Sequence, residues 1–180
     1  MTGIGHNSNH DPAGYTGRLH QWRRARRALL SSRLPVEVIR SRVARAAALG
    51  LDFSTYASVR AATGRDVTAL LFSSSALGML RRAELDAAAA ARLAQVEAVR
   101  GVLVHAPLPV AAPPPLDWAD RAPAFTDSPS AASGRLRAVL RDRALPADAV
   151  LLIGATSVER EWCAAMRAAG WLDAERYFSA

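Results

Sequence analysis

The chain has 180 residues, 51% of them hydrophobic, and carries 23 Lys+Arg against 16 Asp+Glu for a formal net charge of +7. That length suits one domain, or one domain with an appended arm, and the apolar fraction is ample for a core although much of it is alanine. The single cysteine, Cys163, excludes an intramolecular disulfide and a multi-cysteine zinc site, and no apolar stretch approaches the roughly 20 residues that span a bilayer. The N-terminus lacks a basic region followed by an apolar one, so no secretory signal and a cytoplasmic location are expected.

Every basic residue apart from histidine is arginine, which reads mainly as the mark of a GC-rich genome. Base composition does not explain where the arginines fall. Residues 1–66 hold 11 Arg against 4 acids (Asp11, Glu37, Asp52, Asp66), whereas residues 67–180 hold 12 of each. A basic front joined to a neutral body points to an anionic partner for the front, nucleic acid foremost.

Along the chain, residues 1–17 are rich in Gly, Asn and Ser without apolar periodicity and read as a flexible tail. A basic helical region over 18–66 follows. Its first helix runs from Arg18 to about Ser31 and carries Trp22, Arg23, Arg24, Arg26 and Arg27. Pro35 opens a second, with Val36, Ile39, Val43 and Ala46/Ala47 on one face and Gly50 at its end. Asp52 or Ser54 caps a third from roughly Thr55 to Ala62.

The texture changes at Val67. The runs 67–72, 102–105 and 149–153 are short, apolar and rich in strand formers, and helical patterns over 83–99, 135–144 and 158–169 alternate with them. Residues 67–180 therefore read as a small three-layer α/β domain with three or four mostly parallel strands, the last of them near Arg176 to Phe178. Residues 106–133, loaded with Pro, Ala and Ser, read as a long loop or partly ordered excursion.

Three sets of residues carry the functional expectations. Arg23, Arg24, Arg26 and Arg27 can each hold a phosphate bidentately, with Trp22 as a stacking platform and Arg42, Arg45 and Arg60 in support. Ala46, Gly50, Leu51 and Val59 can be laid over a helix-turn-helix whose second helix would offer Ser54, Thr55, Ser58 and Arg60 to base edges, although the same pattern fits an ordinary helical hairpin. The third set is Ser73, Ser74, Ser75, His105, Thr156, Ser157 and Arg160. These sit where ligands of parallel sheets bind, beyond the strand carboxyl ends, and would form a modest anion or phosphate pocket. Thr156 to Glu159 also reads as a capping box. No nucleotide-binding glycine loop, G-x-S-x-G elbow or metal-ligand spacing occurs, so no cofactor and no metal are expected.

The opening Gly3-Ile4-Gly5-His6-Asn7 resembles an N-terminal GIGHN sequence of uncharacterised alphaproteobacterial and phage-associated small proteins. The resemblance covers five residues and implies a bacterial lineage. Such a peptide can dock extended, with Ile4 in a pocket and His6 and Asn7 hydrogen-bonded. The sequence thus leads to a non-catalytic nucleic-acid-associated or adaptor protein. The alternatives are a small enzyme or sensor of an anionic or phosphorylated ligand at the strand ends, and a protein–protein adaptor working through residues 1–10.

Overall fold

Side chains that alternate along short apolar strands decide the architecture. The computed structural model describes residues 34–179. The expected tail and first basic helix, with Trp22, Arg23, Arg24, Arg26 and Arg27, lie outside the described residues. The chain divides into two units, Met1–Ile39 and Arg40–Ala180, the second of which contains the sheet.

The strands are β1 (Ala69–Ser73), β2 (Val99–Val104), β3 (Trp118–Arg121), β4 (Val150–Gly154) and β5 (Gly170–Asp173). They form one sheet in the order β3-β2-β1-β4-β5, and every pairing is parallel. The small α/β layer expected from the sequence is present with five strands. Side chains of the three central strands are divided between two cores. Leu70, Phe72, Val102, Val104, Leu151 and Ile153 face one, while Ala69, Leu71, Leu103, Val150 and Leu152 face the other. A parallel sheet buried on both faces needs this unbroken apolar run.

The helices are α1 (Val36–Ala48), α2 (Phe53–Thr63), α3 (Ala87–Ala94), α4 (Pro129–Asp142), α5 (Ser157–Met166) and α6 (Ala174–Ser179). Ala46, Tyr56, Leu93 and Tyr177, from α1, α2, α3 and α6, join the first core. Leu136, Val139, Leu140, Trp162 and Met166, from α4 and α5, join the second. Parallel crossovers are right-handed, so helices change face where the chain reverses direction across the sheet. Here the chain moves outward from β1 to β2 and β3, then returns to the other side of β1 for β4 and β5. The switch point lies between β1 and β4.

Local chemistry sets the helix ends. Asp52 caps α2 by accepting from the Thr55 amide, and Gly64 closes it in the left-handed region at φ 73°. Asp86 and Ser128 cap α3 and α4 in the same manner. Three elements differ from expectation, the first being the helix read over 83–99, which spans only Ala87–Ala94 and leaves Val99 to open β2. The residues near Arg176 to Phe178 are helical, with the last strand earlier at Gly170–Asp173. The Pro-rich stretch is ordered: Leu108 and Leu116 are buried in the first core, and β3 pairs with β2.

Residues 40–66 pack in the same unit as the sheet. Arg45 binds it tightly: its guanidinium donates to Asp66 at 3.0 Å and to the carbonyls of Glu97 and Val67 at 2.9 Å each. Tyr56 donates to the same carboxylate at 2.8 Å, and Arg60 approaches it at 3.5 Å. Burial alone would raise the Asp66 pKa, but the Tyr56 hydroxyl and Arg45 hold it below the usual carboxylate range.

Gly101 shows how close the β2–β3 edge packs. It pairs in register with Trp118, and a Cβ at Gly101 would enter the indole ring. Gly101→Ala should therefore cost about 1–3 kcal/mol, the range for overpacking. Adding Trp118→Leu should recover most of that loss in a double-mutant cycle read by urea denaturation.

Candidate functional site

Ligands of open parallel sheets bind beyond the strand carboxyl ends, at the switch point. In this chain three polar segments meet there. β1 runs into Ser73-Ser74-Ser75, β2 ends one residue before His105, and β4 ends at Gly154, three residues before α5 begins. The turn after β1 is tied down by its own backbone: Ser74 donates its amide to the Leu103 carbonyl at 2.9 Å and accepts at its carbonyl from the Met79 amide at 2.8 Å.

Glu159 joins the three segments. It is the N3 residue of a complete capping box with Thr156, which puts its carboxylate back over the start of α5. The residue is 1% exposed. Its Oε2 accepts from the Ala155 and Thr156 amides at 2.7 and 3.0 Å, and its Oε1 accepts from the Ser75 hydroxyl at 2.7 Å. His105 Nε2 stands 3.6 Å from the same Oε1. Gly154 makes room for this fold-back, since a Cβ there would lie 3.1 Å from Glu159 Cβ and 2.9 Å from Trp171 Nε1.

On the other side of the imidazole, Ser74 Oγ lies 2.9 Å from His105 Nδ1 and accepts from the His105 amide at 3.1 Å. Nε2 faces the Glu159 carboxylate, which favours the ring proton on that nitrogen and lets the Ser74 hydroxyl donate to Nδ1. The ring also packs between two aromatics, stacked with Phe125 at 5.8 Å between centroids and 15° between planes, and tilted 30° against Trp162 at 5.3 Å. Burial lowers the His105 pKa below its ordinary value, and the Glu159 charge opposes that shift only in part. This direction favours the neutral imidazole at pH 7.

No protein-family model, curated protein or solved structure matches this chain. Its chemistry must be read from the site.

Two features limit what the site can do. The Ala155 and Thr156 amides, the natural seat for a phosphate at the start of α5, are occupied by the chain's own carboxylate. Ser74 is fully buried, and the half-buried Ser75 hydroxyl is bound to Glu159, so neither presents a free nucleophile. Among the described residues no three His, Cys, Asp or Glu side chains are grouped to hold a metal. The Cys163 thiol is half-buried, and burial raises its pKa.

Of the residues expected at this edge, Ser74, Ser75 and His105 come together. Ser73 is buried in the turn, its Oγ accepting from the Ala76 amide at 3.0 Å. Thr156 serves as the helix cap, and Ser157 is the exposed first residue of α5. Arg160 lays its guanidinium 4.3 Å over the ring of Trp171, whose Nε1 lies against Gly154. Among the residues expected to support nucleic-acid contact, Arg45 and Arg60 are engaged with Asp66, and Arg42 is half-buried on α1. In the helix-turn-helix overlay, Ala46 and Leu51 are buried, and the Thr55 hydroxyl is shared between Asp52 and Arg176. Phe125 and Trp162 escaped the sequence reading. Trp162 stands three residues after Glu159 on the same helix face, which is a usable signal, whereas Phe125 sits in the aperiodic Pro-rich stretch.

Two outcomes follow. Glu159→Ala strands Ser75 and two amides and should lower stability by about 2–3 kcal/mol, with Glu159→Gln losing about 1 kcal/mol because one acceptor oxygen remains; urea midpoints decide. The lowered His105 pKa has a defined sign. The unfolded chain takes up the proton first as pH falls through about 6.5, so stability is full above that value and is lost between it and the lower native pKa. The urea midpoint should fall between about pH 7.5 and pH 5.5, and His105→Gln should flatten that slope.

Proposed function

We propose that the α/β unit binds a small planar polar ligand over the β1/β4 switch point, as a sensor or adaptor rather than an enzyme. The observation that carries this reading is the Ser74–His105–Glu159–Ser75 cluster, which gathers the ends of three strands around a buried carboxylate. Buried polar clusters of this kind cost free energy to assemble unless fully bonded, and they concentrate at sites with a use.

The surroundings support binding. Phe125 is 77% exposed yet stacked on the imidazole, so one of its faces offers a flat apolar surface beside hydrogen-bonding groups. Leu80, at 74% exposure, and Val158 add exposed apolar side chains on the segments that leave β1 and β4 at this edge. The engagement of both hydroxyls and both amides within the chain supports recognition over turnover.

The test is thermal denaturation with nucleosides, nucleoside monophosphates and amino acids at millimolar concentration. A true ligand at about a hundred times its Kd stabilises by about 2.7 kcal/mol, a Tm rise of about 5–10 °C for a chain of this size. Phe125→Ala should abolish the rise while leaving the unliganded Tm within a degree or two. If no compound raises Tm, the reading fails.

A second reading rests on the charge asymmetry: the front 66 residues carry the whole +7. Polyanion contact through Arg23, Arg24, Arg26 and Arg27 predicts polarisation of labelled DNA or RNA that weakens between about 50 and 200 mM salt, with a log–log slope of about −0.9 per phosphate neutralised on duplex DNA. Replacing those four arginines by Ala should flatten the slope. Unchanged affinity and slope would contradict it.

A further inference from the structure

The edge of the sheet remote from the Glu159 cluster carries a second concave feature. Where α4 and α5 end, a cleft of about 270 Å³ opens with Leu140, Leu145 and Met166 as its apolar lining and Arg137, Arg141 and Arg167 around it. Leu140 and Met166 are core residues of the second face, so the lining is fixed by packing. An apolar floor with a few convergent polar groups is the general form of a small-molecule site, and this volume lies just below the usual range.

The arginines are arranged by the backbone. Ser133, Arg137 and Arg141 stand four residues apart and so form one row along α4. Ser133 Oγ and Arg137 Nε both donate to the Ala165 carbonyl in the last turn of α5, at 2.8 and 3.0 Å, which holds the Arg137 guanidinium against the cleft and leaves its terminal nitrogens for another acceptor. Arg141 meets only its sequence neighbour Asp142, at 3.6 Å, an exposed pair of little strength. Arg167 has no acid partner among the described residues.

The backbone conformation is the independent observation. Among the described residues only two that are not glycine have positive φ: Ala144 at 52° and Arg167 at 58°. Arg167, the cap of α5, lines this cleft, and Ala144 directly precedes the lining residue Leu145. Glycine is the ordinary residue at such a helix end, and strained non-glycine positions gather where a side chain has a use. An arginine at the α5 cap places a third guanidinium on the rim where glycine would place none.

We propose that this cleft binds a small amphipathic anion, with a carboxylate or phosphate head among Arg137, Arg141 and Arg167 and a short apolar tail or ring on Leu140, Leu145 and Met166. Three guanidiniums select the anionic head, and fork-like pairing with a carboxylate or phosphate is what arginine does best.

Octanoate serves as the probe, with octanol and octylammonium as matched tails. The Met166 methyl resonance, assigned by Met166→Leu, is followed by NMR. Octanoate should shift it saturably, octanol should bind at least tenfold more weakly, and octylammonium should leave it unmoved. The exposed changes Arg141→Gln and Arg167→Gln together should weaken octanoate at least tenfold with Tm unchanged. Equal binding of octanoate and octanol would overturn anion recognition. A Met166 signal that octanoate does not move, or that the double variant leaves fully responsive, would overturn the site.

Discussion

A carboxylate taken out of water must be paid for with hydrogen bonds, and Glu159 obtains them from two parts of the fold, with a third facing it through His105. Two backbone amides at the start of α5, the Ser75 hydroxyl after β1 and the His105 ring after β2 converge on its two oxygens. Removing all of them would leave a buried charge unsatisfied, at a cost of several kcal/mol. The carboxyl ends of β1, β2 and β4 are thereby held in one arrangement, and the rest of that edge is built on it.

Several otherwise separate features follow from this constraint. Gly154 is needed because Glu159 folds back against the end of β4. The His105 pKa is held below its ordinary value because the ring is buried beside Phe125 and Trp162, and one nearby carboxylate does not overcome that desolvation. The helix start, which in many parallel folds holds a phosphate, here holds the chain's own acid. The site is thus a hydrogen-bonding and stacking surface in place of an anion seat.

Much of the fold was legible because its signals are local. The apolar runs over 67–72 and 149–153 alternate between two cores, and Asp52, Gly64 and the Thr156–Glu159 box mark helix ends by their own chemistry. What escaped was decided at a distance. Trp118-Ala-Asp-Arg becomes a strand through register with Gly101, which no propensity reveals. Residues near Arg176 to Phe178 have strand-like composition but form a helix whose Tyr177 is buried against Phe72. At the site, Ser74, Ser75 and His105 were readable from their place after strands. Reading Glu159 as a cap was sound but incomplete, since its second oxygen reaches a residue 84 positions away. Phe125 had no periodic signal at all.

The central claim is that His105 links the strand ends, held by Ser74 at Nδ1 and facing the Glu159 carboxylate with Nε2. Long-range nitrogen–proton NMR of the His105 ring at neutral pH tests it directly. The account predicts a neutral ring protonated at Nε2, with Nδ1 accepting from Ser74. An Nδ1-protonated ring, or a charged imidazolium at that pH, would contradict it and dissolve the link between the three strand ends.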